Sequence, residues 1–271
     1  MKISFMTWVC PDWDLNQVLT AAVRYGYDGV EPRAEANQKH GVEIASTKKQ
    51  RAEIRSQFAD MGIEMSCIAT SRTYAKASRD EWQESVDLTR RFVDLAADVG
   101  CPNLRVFGGG TPQGMSREDA QKRVAEALAE VGPYATKGGV WLCLETHDDY
   151  SRADWCAATV KMAGVEGVGI CWDVMHPFRH SQSIDVAFAA VKDYVHHCHV
   201  HDGVRPKDGD QGSWELARMG EGDIPHDEMV RLLATIHFQG HLSGEYINFL
   251  PADELLPHEA KMLRQYIQAA G

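Results

Sequence analysis

Four acidic or imidazole side chains stand at the ends of short apolar runs in the second half of the chain, and together they form a donor set for a divalent cation. The runs are Leu142-Cys143-Leu144-Glu145-Thr146-His147, Ile170-Cys171-Trp172-Asp173, His197-Cys198-His199-Val200-His201-Asp202 and Ser243-Gly244-Glu245-Tyr246. A charge at the end of a buried strand is costly unless it is paired or bound to something. Side chains alternate along a strand, so His197, His199 and His201 share one side, and only one of them stands level with the three carboxylates. The middle one, His199, is the choice. Glu145, Asp173 and Glu245 would crowd three negative charges together, and a divalent cation resolves that repulsion. Three carboxylates and one imidazole make a mostly hard set that suits Mn²⁺ first, then Mg²⁺, with Co²⁺ or Zn²⁺ also compatible. The competing account gives each carboxylate to a helix cap or to an arginine of a neighbouring loop. Four such residues on consecutive strands favour ligation.

These residues need a scaffold that brings four strand ends to one place. Short β-branched or aromatic runs alternate with longer segments of helical spacing, and eight such units can be counted. The strands are expected at 3–8, 29–33, 64–70, 104–108, 141–147, 168–173, 195–202 and 240–246. The helices are expected near 14–25, 48–61, 80–99, 116–137, 152–163, 183–192, 225–237 and 252–269. Glycines at 26, 62 and 100 follow helix ends, where a left-handed residue turns the chain inward. The pattern predicts an α/β fold with one (β/α)₈ barrel spanning residues 1–271, whose strand ends carry the chemistry. Two polar, glycine-containing connections, 34–47 and 203–224, are long enough to shape or cover a pocket.

The composition narrows the partners. Lys and Arg number 28 against 39 Asp and Glu, a formal charge of −11, so the average field repels a polyanion and no nucleic acid is expected. Seven cysteines without a CxxC pair read as reduced core thiols. The first residues are too briefly apolar for a signal peptide and no run approaches a membrane span, so no membrane partner and a cytoplasmic location are expected.

Several motifs resemble the xylose-isomerase-like barrels, the sugar phosphate isomerase/epimerase group that includes tagatose and psicose 3-epimerases, inosose dehydratases and endonuclease IV. They are Leu144-Glu145-Thr146-His147, Trp172-Asp173-Val174-Met175-His176-Pro177, the run from His197 to Asp202, Met219-Gly220-Glu221-Gly222-Asp223-Ile224-Pro225, and Gly244-Glu245-Tyr246. The resemblance covers essentially the whole chain. It implies the same four metal ligands, and adds His176 and Arg205 as substrate contacts. The family usually carries Lys where this chain has His201. It also implies a mechanism in which Glu145 and Glu245 exchange a proton on a substrate carbon through a metal-stabilised enediolate. The substrate would be a keto-sugar or related polyol, and the protein an isomerase or epimerase, with a homodimer or homotetramer common in the group. The alternative keeps the site and expels a leaving group, as a dehydratase or lyase of an inosose-like or 3-keto-sugar substrate. The endonuclease branch needs further histidines near strands two to four, which Cys67-Ile68-Ala69-Thr70 and Arg105-Val106-Phe107-Gly108 lack.

The remaining polar residues at the mouth carry paired expectations. Glu31 and Arg33 either bind substrate hydroxyls or pair with each other. Arg105 binds a substrate anion or forms a buried ion pair. His147 contacts substrate or supports a ligand from behind. Trp8, Trp13 and Phe107 either stack on a sugar face or, the favoured reading, pack in the core, and His196 is read as facing the helices.

Overall fold

The computed structural model describes residues 1–207 and 214–271. The chain runs through β1 (Lys2–Met6), α1 (Leu15–Tyr25), β2 (Gly29–Glu31), α2 (Lys48–Asp60), β3 (Glu64–Met65), β4 (Ile68–Thr73), α3 (Arg79–Val99), β5 (Asn103–Phe107), α4 (Arg117–Lys137) and β6 (Trp141–Glu145). It continues through α5 (Ala153–Ala163), β7 (Val168–Asp173), α6 (Met175–Arg179), α7 (Ile184–Val191), β8 (Val195–Val200), β9 (Asp202–Val204), β10 (Glu215–Ala217), α8 (His226–Thr235), β11 (His241–Gly244) and α9 (Ala252–Ala269).

The main sheet has the order β3-β2-β1-β11-β8-β7-β6-β5-β4, with every pair parallel. Its two edges, β3 and β4, belong to one passage of chain, and a parallel bridge from Arg33 to Ala69 closes the ring. The result is a (β/α)₈ barrel. The break between β3 and β4 splits the third expected strand in two and lets that passage serve both neighbours.

Local sequence explains the helices. Asp14 with Gln17, Thr47 with Gln50, and Ser78 with Glu81 make reciprocal capping boxes at the starts of α1, α2 and α3. Gly26 and Gly100 end α1 and α3 at φ of 75° and 79°, a region that a side chain would strain. The strands are buried on both faces, as a parallel barrel requires; all six residues of β7 are buried. His196, facing outward on β8, stacks on Trp141 with ring centroids 3.7 Å apart, and a Cβ at Gly169 would meet its ring at 2.3 Å.

Two features lay outside the expected repeat. Asp173 is followed at once by the short α6, and the connection after β8 folds back as the antiparallel β9–β10 pair. Part of that second long connection, 208–213, lies outside the described residues. The first, 34–47, is anchored by a buried bond, Thr7 donating to Gln38 at 2.6 Å, and by a half-buried ion pair of Arg72 with Glu35. All seven cysteines are buried and unpaired. Among the described residues, no helix is long and apolar enough to cross a membrane.

Candidate metal centre

The barrel brings Glu145 from the end of β6, Asp173 from the end of β7, His199 from β8 and Glu245 from just past β11 to one point. Each offers a ligand atom, and these four atoms all lie within 4.8 Å of one another. Glu145, Asp173 and His199 are fully buried, and Glu245 is nearly so. Register explains the convergence. Asp173 pairs with His199 across β7–β8, Ser243 pairs with His199 across β11–β8, and Glu145 pairs with Cys171 on β7. The four residues therefore end neighbouring strands at similar height.

Several of the donor atoms are not satisfied by the protein itself. His199 Nδ1 lies 2.9 Å from Glu245 Oε2 and 3.4 Å from Glu145 Oε1. Yet His199 Nδ1, both oxygens of Glu145 and Asp173 Oδ2 lack a well-formed hydrogen bond. Buried polar atoms without partners are rare because each costs free energy, roughly 1–3 kcal/mol. Converging lone pairs left in this state fit a divalent cation, with mostly oxygen donors and one nitrogen.

Asp173 is the most elaborately held. Its Oδ1 accepts from the backbone N–H of Met175 at 2.9 Å and of His176 at 3.3 Å, so the ligand also caps α6. Its Oδ2 lies 2.9 Å from His201 Nε2 and 3.7 Å from His176 Nε2. Burial opposes ionisation of this carboxyl, but His201 and His176 outweigh that and hold it well below the usual range. Burial likewise opposes ionisation of Glu245, and His199 followed by Arg105 brings it down to about 2. Both are carboxylates at neutral pH, the form a cation requires.

Arg105 lies beside two of the donors. Its Nε is 3.0 Å from Glu145 Oε2, its Nη2 is 3.9 Å from Glu245 Oε1, and its Nη1 donates to the Thr70 carbonyl at 2.7 Å. The guanidinium also rests 4.1 Å over the Phe107 ring. With 1% exposure it forms the buried ion pair of the two expectations, and presents almost no free surface to a substrate.

Glu31 differs from the expected substrate contact. It is fully buried, and its oxygens reach His197 Nε2 at 2.8 Å and His199 Nε2 at 2.9 Å. It does not pair with Arg33, which bonds to the Ala34 and Ala69 carbonyls and Ser71. The signal was present in the alternation of His197 with His199, which puts an imidazole one layer deeper on the inward side.

Three imidazoles line the β6–β7 side of the mouth. The ring of His176 lies 4.4 Å from that of His147 and 5.7 Å from that of His201. Burial pushes His176 down to about 3, so it is neutral at pH 7. His147 is tied to Asp148 at 2.9 Å and packs on Phe107 at 4.7 Å. Arg205 is exposed, 5.6 Å from the rings of both Phe178 and Trp214. Trp8 lies under Arg33 at 5.4 Å and Trp13 packs on the core.

The family model of the xylose isomerase-like TIM barrel matches residues 19–266. The chain belongs to this family. Solved barrels with the same fold include the IOLI protein with a bound zinc atom, at 17% identity and a TM-score of 0.85, covering 100% of this chain and 99% of that one. L-ribulose 3-epimerase matches at 16% identity and a TM-score of 0.81, covering 99% and 95% of the two chains. The probable 3-DHS dehydratase AsbF of Bacillus anthracis matches at 16% identity and a TM-score of 0.80, covering 97% and 99%. A comparison with curated proteins by sequence finds no match.

Proposed function

We propose that this protein is a divalent-metal-dependent isomerase or epimerase of a keto-sugar or related polyol, with Mn²⁺ the preferred ion. The observation that carries this is the convergence of four buried donors, Glu145, Asp173, His199 and Glu245, with both Glu145 oxygens, Asp173 Oδ2 and His199 Nδ1 left without a well-formed hydrogen bond. A cation held there supplies Lewis-acid polarisation of adjacent substrate oxygens and so acidifies the neighbouring C–H. Glu145 and Glu245 then move the proton. They come from different strands, on either side of His199, and so can address opposite faces of one carbon: one takes the proton and the other returns one. Arg105 fixes both glutamates from behind. His176 and His147, close to the donors, orient hydroxyl groups, and Arg205, beside Phe178 and Trp214, is the further substrate contact.

Relatives of the same shape include a sugar 3-epimerase, which supports this reading of the substrate class. A second reading is favoured by the likeness to a probable dehydratase and by the three imidazoles beside Asp173. In it, the same proton abstraction is followed by loss of hydroxide, with an imidazolium as the acid. Product analysis separates the two, since elimination removes the mass of water. The deciding experiment is turnover of a keto-sugar and inosose panel with Mn²⁺ by the wild type and by Glu245→Gln. Loss of activity by more than about 10³-fold with the fold intact is expected. Retained activity in the variant would sink the proton-transfer role.

A further inference from the structure

One buried carboxylate near the centre stands outside the group of four donors. Glu31, at the end of β2, is fully buried, and each of its oxygens serves a different histidine of β8. In the sheet β1 and β11 lie between β2 and β8, so the contact crosses the barrel interior and does not run along a strand pair. The nitrogen of His199 that faces Glu31 is Nε2, while Nδ1 faces Glu145 and Glu245.

We propose that Glu31 is a positioning residue: it holds a proton on His199 Nε2, turns the Nδ1 lone pair toward the cation, and thereby sets how tightly a divalent metal is bound. This rests on the metal reading given above. A carboxylate only accepts hydrogen bonds, so the imidazole nitrogen 2.9 Å from it must carry hydrogen. In a neutral imidazole the other nitrogen then has the lone pair, and the carboxylate's charge makes that lone pair more basic. His197 is the brace. It occupies the second oxygen at 2.8 Å, and its ring stands nearly perpendicular to that of His199, 5.4 Å away at 86°. The carboxylate therefore cannot turn away from His199 without leaving His197. All three residues are fully buried, which excludes water as a substitute partner.

The test is Mn²⁺ affinity by calorimetric titration, with the fold followed by circular dichroism. Glu31→Leu should weaken binding by about 10- to 100-fold. Glu31→Gln, which keeps an acceptor but no charge, should recover part of that loss. His197→Leu leaves the Glu31–His199 bond in place and should weaken binding far less. Wild-type affinity in Glu31→Leu would overturn the inference, as would an equal loss in His197→Leu, the mark of general loosening of the core. Nitrogen-15 spectra of the Zn²⁺-loaded wild type decide it even if Glu31→Leu does not fold. Expected is a protonated Nε2 and a coordinated Nδ1 on His199, and the reverse assignment overturns the proposal. A wild type that binds neither ion would bring down the metal reading itself, an outcome distinct from intact binding with an indifferent Glu31.

Discussion

Two buried carboxylate clusters stand within a few residues of each other at the β8–β11 side of the barrel, and they are finished in opposite ways. In one, Asp202 accepts from four backbone N–H groups: Gly203 at 2.8 Å and Ile224 at 3.2 Å on Oδ1, and Gly220 at 2.8 Å and Gly222 at 3.0 Å on Oδ2. Nearby, Glu259 accepts from Met219 N–H at 3.0 Å and from the Tyr246 hydroxyl at 2.7 Å. These oxygens are filled by the chain. In the other, Glu145 and Asp173 Oδ2 are left without a well-formed hydrogen bond, and His199 Nδ1 faces two carboxylates. Both clusters have buried charge, but only one has used its hydrogen-bonding capacity. The filled cluster ties a loop to the barrel; the unfilled one is equipped to take a ligand.

The contrast is broken most sharply by substitutions that exchange a single oxygen. Asp173→Asn keeps the cap on α6 through Oδ1 but removes a ligand charge. It should weaken Mn²⁺ binding by about 10³-fold, roughly 4 kcal/mol, measured by competition with a chelator. Wild-type protein should gain about 2.7 kcal/mol of unfolding stability when free metal is at 100 times its dissociation constant. The variant should gain almost nothing at that concentration. Metal-free stability should fall far less than metal affinity, since only the charge facing His201 is lost and both backbone hydrogen bonds to Oδ1 are kept. A large fall in metal-free stability would mean that the upper cluster is structural after all.

Asp202→Asn reverses the pattern. The amide nitrogen would confront two of the four N–H donors, and charge-assisted hydrogen bonds are worth about 1.5–3 kcal/mol each. A loss of about 3 kcal/mol in urea unfolding is expected, with metal affinity near that of wild type. The loop has no room to adjust by moving closer, because a Cβ at Gly222 would lie 2.2 Å from Asp202 Oδ1. If metal affinity falls instead and stability holds, the two clusters are one.

The sequence made one cluster legible and left most of the other hidden. Periodicity located all eight barrel strands and the eight helices expected, because a parallel barrel buries its strands on both faces and its helices on one. Asp173 and Glu145 drew notice as charges ending apolar runs, and the structure brings them together with His199 and Glu245. Glu31 was expected to meet substrate hydroxyls or Arg33, and the structure gives its oxygens to His197 and His199. It ends a short strand just as Asp173 and Glu145 do, but its partners lie across the barrel on β8, with two strands between in the sheet, which strand periodicity does not reveal. Asp202 drew no reading of its own, because its four partners are backbone groups and carry no residue-type signature. The glycines at 220 and 222 were quoted as part of a motif, and their reason is visible only with Asp202 beside them. His201 was passed over for His199 on grounds of height, and the pairing with Asp173 depends on a turn after β8 that alternation alone does not describe.

Glu259 gives the smallest and most discriminating test of the filled cluster. Burial pushes its carboxyl up to about 6 from an ordinary value of 4.5, against the pull of Tyr246 and Met219, with Asp202 adding to the rise. An acid whose value is raised on folding binds its proton more tightly in the folded chain. Its contribution to stability is therefore fully present below pH 4.5 and is lost as the pH rises through 6. The difference of 1.5 between 6 and 4.5 corresponds to about 2 kcal/mol. Glu259→Gln is neutral throughout and keeps one acceptor for Tyr246 or Met219. The stability of wild type minus variant should therefore decline by about 2 kcal/mol between pH 4.5 and 7.5, read from urea unfolding in metal-free buffer. Other titrating groups are shared by both proteins and cancel in the difference. A flat difference would mean that the two hydrogen bonds fully offset burial of the charge, and that the filled cluster holds no residual cost of ionisation.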